Sequence, residues 1–162
     1  VDYWISQRTG IQIIEAAQIF LEDNRSHILN TKDFLIMTIA VDHGKHACFF
    51  ETTVALKLWQ EQYKNGVRTD LYNIEPGDLV VLGKSDSKWG DHMAIATTGP
   101  QETDSGAIIY TIEADSRGRG AMGEPKQGVV TNIRPFAKEG MPSNIYRVLW
   151  FVRFSKPPEK EA

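Results

Sequence analysis

Apolar and polar residues recur at helical spacing near the start of the chain. The segment 11–24, IQIIEAAQIFLEDN, has apolar positions three and four residues apart, which predicts an amphipathic helix. Its apolar side is expected to carry Ile11, Ile14, Ala17 and Leu21, and its polar side Gln12, Glu15, Gln18 and Glu22.

Two further helices are predicted before residue 67. The segment 30–44 opens with Asn30 and Thr31 as candidate N-caps and ends near Gly44, although its β-branched residues would also suit a strand. The segment 45–66, KHACFFETTVALKLWQEQYKNG, contains many good helix formers and ends at a glycine. Cys48 lies at the N-terminal end of this third helix.

The pattern changes to strand-like alternation after residue 70. Five strands are predicted, within 77–83, 92–99, 107–115, 128–136 and 145–154. Turn-rich segments at 83–90 and 115–128 separate some of them. Helices followed by antiparallel strands indicate an α+β fold with about five or six strands. Residues 1–155 are interpreted as one domain, and residues 156–162 as a disordered charged tail.

Composition and charge narrow the function classes. The chain has 162 residues, 41% hydrophobic and 24% charged, which is typical of a globular protein. A net charge of -3 gives no electrostatic basis for binding nucleic acid. No apolar run reaches the roughly 20 residues of a membrane span. This chain shows no signal-peptide pattern.

The chemistry centres on the single cysteine. A helix N-terminus lowers the pKa of a thiol, so Cys48 is a candidate nucleophile. A nucleophilic thiol needs a base, and His92 is the candidate because it opens a strand whose Ala94 and Ala96 share its face. These small alanines leave room for another element to pack against that face. The buried helix end that carries Cys48 is the candidate.

A third group should orient the histidine. Glu113 and Asp115 lie two positions apart in the next strand, so alternation places both on one face. Either carboxylate could accept a hydrogen bond from His92, and alternation alone does not choose between them. We favour Glu113, because Asp115 lies where the chain enters a predicted turn.

These motifs in this order resemble the CHAP family of papain-like cysteine amidases and peptidases, related to NlpC-type hydrolases of peptidoglycan. The resemblance is carried by PGDLVVL, GDHMAIA, YTIEADS and GVVTNIR after a helix-borne cysteine, and covers roughly residues 40–155. It implies a papain-like fold with Cys48 as nucleophile, His92 as base and Glu113 as the acidic position. Asp115 stands where the family usually has asparagine. Asp91 stands where glycine is common.

The resemblance also implies a function and its setting. The reaction is expected to be amide-bond hydrolysis in peptidoglycan through a thioester, at the bacterial cell wall. Part of the family binds calcium, but no loop in this sequence demands it, so we expect no cofactor and no metal. We also expect a monomer. Trp89 and Asp91, next to His92, are candidate substrate-binding residues, and Trp89 could equally cover the core. The residues before Cys48 do not indicate the second oxyanion donor.

Other interpretations stay open at this point. Cys48 could be a small buried core residue, and His43, His46 and Cys48 have a spacing that could suggest zinc, although the usual second pair of ligands is missing. The domain could instead be an inactive papain-like module that binds wall fragments or a protein partner. It could also be a protein deamidase or peptidase of the same fold.

Overall fold

The protein is described by a computed structural model covering residues 6–39, 67–84 and 90–156. Several predictions lie outside these described residues: the third helix with Cys48, the end of the second helix near Gly44, the residues His43, His46 and Trp89, and the tail from residue 157 onward.

The first predicted helix is confirmed as α1, Gly10–Glu22. Thr9 and Gln12 form a capping box, in which each side chain bonds the backbone N–H of the other. The buried residues are Ile13, Ala17 and Leu21. Ile11, which was assigned to the buried side, is 69% exposed. α1 has more apolar residues than its buried stripe can hold, and Ile11 lies outside the stripe formed by Ile13, Ala17 and Leu21.

The second predicted helix is α2, Thr31–Ile39 as far as the structure describes it. It begins after Asn30, whose side-chain oxygen accepts the backbone N–H of Asp33 at 2.8 Å, as an N-cap should. The Arg8 guanidinium donates to the carbonyls of Met37 and Thr38 near the other end. These bonds join the last described turn of α2 to the segment that precedes α1.

One antiparallel sheet follows the helices. Its strands are β1 (Val67–Arg68), β2 (Leu79–Gly83), β3 (His92–Ala96), β4 (Gln101–Thr103), β5 (Gly106–Arg119), β6 (Pro125–Pro135) and β7 (Arg147–Val152). They run in the order β1-β7-β2-β3-β5-β4, with β6 pairing β5. Among the described residues, six strands have three or more residues, and two residues of a seventh, β1, are described. The α+β fold with N-terminal helices packed on a curled antiparallel sheet is confirmed.

The two faces of the sheet are both buried. One packs against α1 and α2 through residues that include Val81, Met93 and Ile112. The opposite face carries Leu82, Ala94, Ala96, Ile109 and Phe151, among others. These residues form a second buried cluster together with Phe136.

The segment 115–128 differs from its prediction. It was predicted as a turn, but β5 continues to Arg119 and β6 begins at Pro125, so the turn is confined to 120–124. The glycines and polar residues of this segment suit a ribbon as well as a loop. Lys126 lies in the part of β6 that was predicted as a turn. Its ammonium donates to the carbonyls of Leu21 and Asp23, at 2.6 and 3.1 Å, and so caps the C-terminal end of α1.

A buried ion pair lies at the N-terminal end of β2. Asp78 is fully buried, and Arg153 holds it with two bonds, from Nε to Oδ1 at 2.9 Å and from a terminal nitrogen to Oδ2 at 2.8 Å. Burial raises the pKa of Asp78, although Arg153 opposes this. The backbone carbonyl of Asp78 accepts the N–H of Ala96, at the end of β3 away from His92.

Candidate functional site

His92 and Glu113 meet on the sheet face opposite α1 and α2. His92 pairs with Leu82 at the start of β3, and Glu113 lies on β5, the neighbouring strand. Nε2 of His92 lies 2.9 Å from Oε1 of Glu113. The Glu113 side chain is fully buried and that of His92 is 13% exposed. Two groups predicted to act together are therefore in direct contact.

The Glu113 carboxylate accepts hydrogen bonds at both oxygens. Arg134 donates to Oε2 from Nε at 2.7 Å and to Oε1 from a terminal nitrogen at 2.6 Å. The hydroxyl of Thr111 donates to Oε2 at 2.6 Å. Oε1 also accepts from Ser116 at 3.2 Å and from the Asn132 amide at 3.3 Å. With this many donors the carboxylate has one fixed orientation.

Burial and charge act in opposite directions on this carboxyl group. Burial raises the pKa of Glu113, while the hydrogen bonds and charges of Arg134 and His92 lower it. The lowering effects dominate, so the pKa of Glu113 lies well below its usual range. This direction favours the ionised carboxylate near neutral pH.

The ionised carboxylate determines the tautomer of the histidine. A carboxylate only accepts hydrogen bonds, so Nε2 of His92 must carry the proton in their contact. In the neutral ring the other nitrogen, Nδ1, then has a free lone pair. This is the arrangement that a general base needs, with one nitrogen anchored and the other available.

Asp115 does not share the face of Glu113. Two residues of β5, Ala114 and Asp115, lie opposite one residue of β6, because Glu113 pairs with Val130 and Ser116 with Gly128. This is a β-bulge, and Asp115 has a φ of 51°, in the left-handed region. The bulge interrupts the alternation on which the prediction rested. Asp115 is exposed, and Ser116 occupies the expected place beside Glu113.

Tyr146 forms an aromatic wall beside the pair. Its ring centre lies 6.2 Å from that of His92, and the Arg134 guanidinium lies 5.6 Å from it. The Lys84 ammonium lies 5.3 Å from the same ring. Two cations therefore flank an otherwise apolar wall.

The remaining predicted site residues are less informative. Asp91 is exposed, and its carboxylate accepts the backbone N–H of Lys84, just after β2, at 3.3 Å. Its predicted contact with substrate stays a prediction. Cys48 and Trp89 lie outside the described residues. Within the described ranges, no three His, Cys, Asp or Glu side chains gather as metal ligands would.

Sequence reasoning missed the support around Glu113. Asn132 and Arg134 are polar residues two positions apart in β6, so alternation alone puts them on one face. That signal was available. The contact of Arg134 with Glu113 could not be predicted in this way, because Arg134 pairs with Ile109, four residues away from Glu113 along β5. Its long side chain must lie along the sheet to reach the carboxylate.

The sequence was compared with models of protein families and with curated proteins, and neither comparison gave a match. Neither α1 nor α2 has the length and apolar character of a membrane-spanning helix.

Proposed function

We propose that this chain is a papain-like, cysteine-dependent amidase or endopeptidase that cleaves amide bonds in bacterial peptidoglycan. The observation that supports it most is the 2.9 Å contact between His92 Nε2 and the fully buried carboxyl group of Glu113. This contact leaves Nδ1 of His92 as the base. The substrate class follows from the resemblance of the motifs around these residues to the CHAP family.

The proposed reaction begins at Cys48. Its thiol transfers a proton to Nδ1 of His92, and the thiolate attacks the amide carbonyl carbon. The imidazolium is stabilised by Glu113 and returns its proton to the leaving amine as the C–N bond breaks, which gives a thioester. Water then attacks the thioester with His92 as base, and this step releases the acid and regenerates the thiol. We expect Sγ of Cys48 within about 4 Å of Nδ1.

Thiol labelling tests the cysteine–histidine pair without any substrate. Wild-type protein is expected to react with iodoacetamide near neutral pH much faster than a free cysteine, because His92 promotes the thiolate. His92→Ala should lower this rate to that of an ordinary thiol. His27→Ala is the matched control, since His27 is an exposed histidine in the turn after α1. Equal labelling of all three proteins would contradict the pairing.

Hydrolysis is tested on purified peptidoglycan, with the released ends identified by mass spectrometry. Wild type should release new amine and carboxyl ends, and Cys48→Ala should release none while keeping its circular dichroism spectrum. Activity that persists in Cys48→Ala would show that the nucleophile is misassigned. Sedimentation with peptidoglycan in the absence of any cleavage would instead favour the non-catalytic wall-binding module.

A further inference from the structure

We propose that Arg134 is a positioning residue that fixes Glu113, and through it His92, in the orientation needed for catalysis. This inference rests on the proposed function. It assigns Arg134 a role through the carboxylate, without contact to the substrate.

The first support is the two-bond geometry. Arg134 bonds both oxygens of Glu113, at 2.7 and 2.6 Å, so the plane of the carboxylate cannot rotate. Oε1, which accepts from Arg134, is also the oxygen that contacts His92. Any movement of the guanidinium therefore moves the acceptor of the imidazole N–H.

The second support is the shared aromatic wall. The guanidinium of Arg134 and the imidazole of His92 both pack on the ring of Tyr146. Arg134 must reach Glu113 along the sheet, since four strand residues separate Glu113 from the partner of Arg134 by about 13 Å. Packing on Tyr146 restricts that long side chain to one path, and the same ring limits rotation of the imidazole.

The third support is charge. Three neutral side chains donate to Glu113: Thr111 and Ser116 of β5 and Asn132 of β6. Arg134 of β6 and His92 of β3 also contact it. Arg134 is the only permanent cation among these described partners. Without it, burial would favour the protonated acid, which cannot stabilise an imidazolium in the same way. Arg134 thus keeps Glu113 ionised in acid, at the cost of a positive charge near the base.

The chain offers a matched control for a purely structural role. Arg153 holds the buried Asp78 by the same two-bond geometry, but at the end of β2 away from His92, and the described structure shows no histidine bonded to that carboxylate. Arg134→Lys and Arg153→Lys therefore make the same chemical change to two buried carboxylate pairs. Only the first is expected to affect catalysis.

The test uses the full chain and two measurements. Nitrogen-15 NMR of the histidine rings should show His92 with its proton on Nε2 in wild type and in Arg153→Lys, and a mixture of tautomers in Arg134→Lys. On peptidoglycan, Arg134→Lys should lower kcat by about 10- to 100-fold with little change in KM, the loss expected from small misplacement. Arg134→Met should in addition lose activity as the pH falls, because Glu113 then becomes protonated.

The outcomes are separable from those for the proposed function. If Arg134→Lys keeps both the wild-type kcat and the wild-type tautomer, the positioning role is wrong. The role is also wrong if Arg153→Lys loses kcat equally. If wild type hydrolyses nothing, the proposed function fails, and the NMR comparison alone decides whether Arg134 orients His92. If Arg134→Met does not fold, Arg134→Lys carries both measurements.

Discussion

Replacing Glu113 by glutamine should destabilise the protein even though the side chain keeps its size. A glutamine has one acceptor oxygen where the carboxylate has two. The oxygen is expected at the Oε1 position, which faces His92 and three other donors. The amide NH2 then occupies the Oε2 position. There Thr111 can rotate its hydroxyl to accept, but Nε of Arg134 can only donate.

The expected cost follows from the unpaired arginine. Removing one partner of a buried ion pair costs about 3–5 kcal/mol. The Arg134 side chain is 16% exposed, so water partly compensates it and the lower end of that range applies. We therefore expect Glu113→Gln to lower the free energy of unfolding by about 3 kcal/mol, with a fall in Tm of about 6–12 °C. A domain of this size remains folded after such a loss.

Urea unfolding followed by tryptophan fluorescence measures this cost. Glu102→Gln, at an exposed glutamate on β4, is the control and should change stability by less than about 0.5 kcal/mol. The double variant Glu113→Gln with Arg134→Met removes the unpaired charge, and its two changes should be coupled by at least about 1 kcal/mol. A Glu113→Gln protein as stable as the control, or additive changes, would refute the reasoning.

The pH dependence of the same experiment has a definite sign. The pKa of Glu113 is lower in the folded protein than its ordinary value of 4.5, so the unfolded chain binds the proton more readily. The carboxylate stabilises the fold fully above that ordinary value and progressively less as pH falls below it. The stability difference between wild type and Glu113→Gln should therefore shrink below about pH 4.5.

Three further predictions follow from the described contacts. Asp115→Asn should leave peptidoglycan turnover nearly unchanged, while Glu113→Gln lowers it by orders of magnitude; the opposite result would make Asp115 the orienting group. Gly128→Ala should lower the free energy of unfolding in urea by about 2–3 kcal/mol, because φ is +123° and the new Cβ would lie 2.7 Å from the backbone of the turn after α1. Gly123→Ala is the control, because φ is +79° but the new Cβ would meet open space, and it should cost about 1 kcal/mol. Equal costs would contradict the close approach at Gly128. Lys126→Met should cost about 1 kcal/mol in the same assay by removing the cap of α1, and an unchanged midpoint would contradict that contact.

The regular parts of the fold could be predicted from the sequence. Each of the five predicted strands is present, and α1 and α2 begin near their caps, because alternation and capping are properties of neighbouring residues. The choice of Glu113 as the partner of His92 rested on the same local information, combined with the resemblance of the motifs. The contact between them confirms their proximity, and their catalytic role stays a proposal.

The remaining features depend on contacts that a local pattern does not contain. The bulge at Asp115 is set by pairing with β6, and it moves Ser116 to the face where Asp115 was expected. The extension of β5 to Arg119 depends on the strand opposite it, so glycines and polar residues alone suggested a turn. Arg134 reaches Glu113 by lying along the sheet, a path that depends on side-chain length and on Tyr146.

The cap on α1 also affects the order in which the protein can assemble. Lys126 follows Leu21 by 105 residues, and at about 5–20 residues per second a ribosome needs roughly 5–20 s to synthesise that interval. During this time the carbonyls of Leu21 and Asp23 lack the bonds from Lys126, although Asp23 can already accept the backbone N–H of Ser26. The helical layer is therefore synthesised first but completed late, after β6 has begun to emerge. Contacts this distant in sequence carry a large loop-closure cost and are typical of slow folding.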